Sequence, residues 1–159
     1  MSDDTPTNLS PFAARFARIL FERYPEWKQY VVPPDPEWQE TQDLAVAVPS
    51  RFPDEPLRID TMDDEITISW RGWHTHCYSW KDGPTEEQFI GEALEIITAL
   101  LSEGLVIVEG QDRGKTTASG HYQPDEVAES LDLYSDHDTV TATSWNGTYD
   151  QTRPGEKGR

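Results

Sequence analysis

Residues 63–80, DDEITISWRGWHTHCYSW, decide how the chain is read. An acidic turn at Asp63 and Asp64 leads into strict alternation, with Ile66, Ile68 and Trp70 on one face and Thr67, Ser69 and Arg71 on the other. A period of two is the signature of a strand with one buried face. Gly72 interrupts it, and an isolated glycine in a strand marks a bulge or a close backbone approach. Beyond it His74, His76, Tyr78 and Trp80 share one side, while Trp73, Thr75 and Cys77 take the other. Half of the six tryptophans and half of the four histidines fall in this stretch, which makes it the expected special surface.

Upstream, Leu44, Val46 and Val48 form one short strand and Leu57, Ile59 and Thr61 a second, with the proline-rich loop SRFPDEP between them. Connections this short imply antiparallel neighbours. Nearer the N-terminus, Ser10 and Pro11 make a helix start. Phe12, Phe16, Ile19 and Leu20 follow at helical spacing, and Pro25 ends that helix near Tyr24. The segment 25–40, PEWKQYVVPPDPEWQE, reads as an extended connector whose Trp27 and Trp38 lie on the surface or lock it to the core.

Downstream, Thr85 and Gln88 form a capping box, and Glu86 and Glu87 sit at the positive end of the helix dipole. Phe89, Ile90, Ala93, Leu94, Ile97, Leu100 and Leu101 make a broad apolar stripe, and Gly104 waits beyond the last turn. The expected helix covers 86–103. Strands follow at 105–109, 116–122 and 139–145, with GQDRGK as a glycine-bounded turn. Residues 124–130 fit either one helical turn or the approach to a strand at Leu131 and Leu133. The expected architecture is a single α+β domain over 10–150: an antiparallel sheet of about six strands with one N-terminal helix and one long central helix packed on it. Residues 1–9 and 151–159 are expected to be a disordered N-terminus and tail.

A chain of 159 residues can bury a sizeable core without staples. The single Cys77 excludes an internal disulfide and fits a reducing compartment. With no basic and apolar leader at the start, and the longest apolar run broken by Gly91, Glu92, Glu95 and Thr98, the expectation is a cytoplasmic protein with no membrane span. Thirty acidic against thirteen basic residues give a net charge of −17, which argues against nucleic acid and anionic membrane as partners. It favours a basic protein partner, and serves solubility as well.

Candidate chemistry is sparse. His74 and His76 on one strand face can chelate zinc or iron if His121, His137 or a carboxylate supplies a third ligand. The plainer reading packs them beside tryptophans with carboxylate hydrogen bonds. Cys77 as a nucleophile needs a base, and His76 projects to the opposite face. Asp136, His137 and Asp138 resemble an acid–base fragment but sit in a polar turn that reads as solvated. No catalytic residue and no cofactor is expected.

The succession YPEW (24–27), AVAVPS (45–50), LRIDTMDDEITISWRGWHTHC (57–77), a long helix before LVIVEG (105–110) and the closing SWNGTYD (144–150) resembles bacterial immunity proteins of polymorphic or contact-dependent toxin systems. The resemblance spans about residues 12–150. Cys77 stands where those proteins carry phenylalanine after His-x-His. It implies a catalytically blank protein that binds a cognate, basic toxin domain by occlusion. Asp63, Asp64 and Glu65 would steer the partner, Trp73 would anchor it, and His74 and His76 would join the contact. The competing readings are a small metal-dependent enzyme using His74 and His76, and an acidic interaction domain unrelated to toxins.

Overall fold

In the computed structural model, which describes residues 6–158, Ser10 Oγ accepts the N–H of Ala13 at 3.1 Å and Pro11 occupies the first helical position. Helix α1 (Pro11–Arg23) starts as the sequence dictates and buries Phe12, Phe16, Leu20 and Phe21 along one face. Each such side chain contributes about 1.5–3 kcal/mol relative to exposure, before ordering entropy is counted. The connector then coils rather than extends: Pro25–Tyr30 is a 3-10 helix. Its Trp27 is buried and stacks on Tyr24 with centroids 4.2 Å apart, whereas Trp38 is 39% exposed. One tryptophan locks the connector and the other lies on the surface.

Four strands follow as an antiparallel meander: β1 (Ala45–Val48), β2 (Leu57–Met62), β3 (Glu65–Trp70) and β4 (Trp73–Cys77), in the order β1-β2-β3-β4. The register pairs Val46 with Ile59, Ile59 with Ile68, and Ile66 with Cys77, so the apolar residues of all four strands share a face. The bulge expected at Gly72 is instead a two-residue hairpin loop. Trp70 pairs with Trp73, and Arg71 rather than the glycine takes the left-handed conformation, at φ 56°. A buried polar cluster ties the preceding loop to this sheet. Gln39 Nε2 donates to the carbonyls of Leu44 (3.1 Å) and Thr61 (2.8 Å), and the Leu44 N–H donates to Thr61 Oγ1 at 2.8 Å. Satisfied buried groups of this kind fix a unique arrangement.

Helix α2 (Glu86–Leu101) opens on the expected capping box: the Thr85 N–H donates to Gln88 Oε1 (2.8 Å) and the Gln88 N–H to Thr85 Oγ1 (3.3 Å). Phe89 meets Phe12 at 5.7 Å, and Arg15 forms a bidentate ion pair with Glu86 at 2.6 and 2.9 Å. At the far end Glu103, not Gly104, adopts the left-handed conformation, at φ 61°. Its carboxylate accepts the N–H groups of Asn146 (2.7 Å) and Thr148 (3.3 Å), which clasps the SWNGTYD loop and offsets the backbone cost.

The second sheet has the order β6-β5-β7-β8, all antiparallel: β5 (Val106–Asp112), β6 (Lys115–Tyr122), β7 (Thr139–Thr143) and β8 (Gln151–Pro154). Arg113 (φ 53°) and Gly114 (φ 76°) form the β5–β6 turn with two positive φ angles, the hairpin geometry matched to strand twist. Residues 124–133 resolve as a 3-10 turn and helix α3 (Val127–Leu133), so the alternative strand at Leu131 and Leu133 does not form. Val127 and Leu131 pack on Val106, Val108, Val140 and Ala142.

The protein is therefore α+β, with one correction to its sheet. The expected sheet of about six strands is two sheets of four. Two compact units are distinguished along the chain, one up to Glu95 and one from Ile96 on. The expected tail also contains an edge strand, since Gln151–Pro154 pairs with β7 from Ala142↔Gln151 to Thr139↔Pro154. Residues 1–5 of the expected N-terminal segment lie outside the described residues, and Asn8 Nδ2 donates to the Thr41 carbonyl at 3.3 Å.

A Cβ on Gly110 would run into the imidazole of His137. Gly110→Ala is expected to lower stability by about 1–3 kcal/mol through overpacking. The measurement is the midpoint of urea unfolding, with an unchanged midpoint refuting the contact.

Candidate functional site

Pairing parity places Arg58, Asp60, Glu65, Thr67, Ser69, His74 and His76 on the side of the first sheet opposite its apolar face. His74 and His76 are exposed, as the alternation requires, and their rings meet edge to face at 5.1 Å. His76 Nδ1–H donates to Glu65 Oε1, and Thr67 Oγ1 lies 3.1 Å from the same nitrogen. Arg58 grips Asp60 through two bonds of 2.8 and 3.1 Å. Asp60 is almost wholly buried, and that desolvation pushes its carboxyl above the usual range despite the arginine.

Charge is unevenly laid out along these strands. The β2–β3 turn carries Asp63 and Asp64, both exposed, with Glu65 following. At the other end, the guanidinium groups of Arg51 and Arg71 each sit 4.2 Å from the ring centre of Phe52, and Arg71 pairs with Glu55 at 3.1 Å. The acidic turn thus carries exposed carboxylates, with Arg15 near enough for Asp64 to act on it.

The chain leaves β4 at Cys77, opposite Ile66 and so beside that acidic turn. Tyr78 and Trp80 come next, 44% and 59% exposed, their rings 5.6 Å apart edge to face. The loop that carries them is tied down. Ser79 Oγ donates to the Pro84 carbonyl at 2.6 Å, the Gly83 N–H donates to the Trp80 carbonyl at 2.9 Å, and a Cβ on Gly83 would collide with the indole. Trp80 is an exposed aromatic held in one place, which lowers the entropy lost on binding.

The structure overturns Trp73 as an anchor. Only 2% of it is exposed, because it shares the inward face with Cys77. The alternation that turns His74 and His76 outward also turns Trp73 inward, so the signal was present in the sequence. Tyr78 and Trp80 follow the end of β4 and are the exposed aromatic rings of this stretch. Among the described residues no group of three or more His, Cys, Asp or Glu side chains is arranged to hold a metal ion. His74 and His76 therefore gain no third ligand from them. Cys77 is buried, and burial first, then the charges of Glu92 and Glu65, push its thiol up to about 12. That suits a core residue rather than a nucleophile.

In the second unit the sequence reading of residues 136–138 as a solvated turn is corrected. His137 has a side-chain exposure of 13%, lies over Gly110, and its Nδ1–H donates to Asp112 Oδ2 at 2.9 Å. Thr117 Oγ1 donates to the same carboxylate oxygen at 2.9 Å, and the Asp138 N–H to Asp112 Oδ1 at 3.1 Å. These groups hold the turn shut on the strand ends; Nδ1 is engaged with the carboxylate and Nε2 faces Asp136 at 3.5 Å. The arrangement positions a loop and presents no base to a nucleophile.

No helix among the described residues is long and apolar enough to cross a membrane. Neither a protein-family model, a curated protein nor a solved structure matches the chain.

Two carboxylates link these contacts to pH. The bond from His137, aided by Thr117, holds Asp112 down at about 2. Glu103 feels burial pushing upward, yet the bonds from Thr148, Ser144 and Asn146 outweigh it and hold it at about 2. Depressed carboxyls support the native state above their ordinary range and lose that support as pH falls toward the folded value. Thermal stability is therefore expected to decline between roughly pH 4.5 and pH 2. Glu103→Gln should flatten that decline while lowering stability at pH 7. Equal slopes for both proteins in calorimetry would refute the assignment.

Proposed function

We propose that the chain is an immunity protein that binds a cognate basic toxin domain and neutralises it by occlusion. The observation that carries the reading is the 59% exposed Trp80, on a tied loop that leaves β4 opposite Ile66 at the sheet end bearing the Asp63–Asp64 turn, in a chain of net charge −17. Binding energy at protein interfaces concentrates in a few desolvated aromatic and charged anchors, with surrounding groups excluding water. Here Tyr78 and Trp80 are the anchors, and Asp63, Asp64 and Glu65 steer the approach of a cationic surface. His74 and His76 extend the contact along the strand. The resemblance of the WHTHC and SWNGTYD segments to immunity proteins points the same way. Such a partner needs no chemistry from this chain, which agrees with a thiol held near 12 and buried.

The decisive experiment co-expresses the chain with the C-terminal domain of a large secreted protein encoded beside it. Growth is expected to be restored, and continued killing despite soluble expression would end the proposal. Trp80→Ala should weaken the complex by about 2 kcal/mol, roughly thirtyfold in Kd, with the unfolding midpoint unchanged. Reversing the turn with Asp63→Lys and Asp64→Lys should slow association more than it speeds dissociation, as stopped-flow measurements at two salt concentrations would reveal.

A further inference from the structure

A groove of about 380 Å³ lies between α1 and α2, and its Arg15 feels the charge of Asp64 in the acidic turn. Ile19 of α1 and Ile90 and Leu94 of α2 give it apolar walls, Gly91 lines it as well, and Glu87 stands exposed on its rim. Arg15 closes one side through its bidentate bond to Glu86, so Glu86 is already neutralised. Gly91 is the informative residue. Glycine in a helix interior destabilises it relative to alanine, and it permits another chain to approach the backbone closely. Among the described residues outside its own helical turn nothing does so: a Cβ on Gly91 would meet none of their atoms within 4 Å. The space that this glycine leaves is open to the outside of the groove.

We propose that this groove takes a basic amphipathic helix from another protein, with a large apolar side chain seated over Gly91 and a lysine or arginine one turn away paired to Glu87. Grooves between two helices accept a third helix by burying its apolar stripe, and a glycine in the wall lets the two backbones come close. A second copy of this chain is disfavoured as the occupant, since two chains of charge −17 repel. An acidic helix is disfavoured by Glu87 for the same reason. The inference rests on residues other than Tyr78 and Trp80 and does not depend on the toxin reading.

The test titrates the full chain, labelled with nitrogen-15, with two helical probe peptides built from leucine, alanine and either lysine or glutamate. The lysine peptide is expected to shift the amide signals of Ile19, Ile90, Gly91 and Leu94, with an affinity that falls with salt. Gly91→Leu, which fills the groove, should weaken it at least about tenfold. If that variant does not fold, Gly91→Ala serves, since it should raise the Tm while still weakening the peptide. Shifts centred on Asp63 and Asp64, undiminished binding by the Gly91 variants, or equal binding of the glutamate peptide would each overturn the proposal. Concentration-dependent dimerisation through the same residues would overturn it too.

Discussion

The two-residue alternation of β3 and β4 is the constraint from which the first unit follows. Ile66, Ile68 and Trp70 on one strand and Trp73 and Cys77 on the other must reach the interior together, and the Trp70↔Trp73 pairing leaves only one register that allows it. A slip by one residue would expose two tryptophans and bury two histidines. Every polar group on the opposite side, from Arg58 to His76, is placed by that choice. The outward histidines are a consequence of what the sheet has to hide.

The same economy governs charge. The chain carries an excess of seventeen acids, and three of its nine arginines, Arg51, Arg58 and Arg71, gather at one end of the first sheet, occupied by Phe52, Asp60 and Glu55. The other end carries the exposed Asp63 and Asp64, and the chain leaves β4 there toward Tyr78 and Trp80. A surface organised in this way favours one orientation of a cationic partner over others before any contact is made. Under the proposed function, that orientation brings the indole of Trp80 to the centre and the turn to the rim.

Local physics made much of this visible in advance. The caps of α1 and α2 depend on side chains three residues apart, so Ser10, Thr85 and Gln88 could be read directly. The sidedness of β4 can be read as well, and the parity that turns His74 and His76 outward rules Trp73 out as an outward anchor. Pairing across distance was hidden. Gln151–Pro154 is too polar to announce a strand and becomes one only because β7 offers an unpaired edge. One sheet and two sheets contain the same strands, and only the partners chosen distinguish them. His137 was hidden for a similar reason: its composition reads as a turn, and only the pairing of β5 brings Asp112 and Gly110 beneath its ring. At the end of α2 the expected glycine yielded to Glu103 because a clasped loop can stabilise a conformation that local preference opposes.

Cys77 has a use that its inertness creates. It is the chain's sole sulfhydryl, it sits at the last position of an edge strand, and almost none of it is ionised near neutrality. An electrophile such as a maleimide can alkylate it only while that strand is lifted from its neighbours. The rate of labelling is therefore a clock for transient opening of the sheet margin, built into the native chain without any added probe.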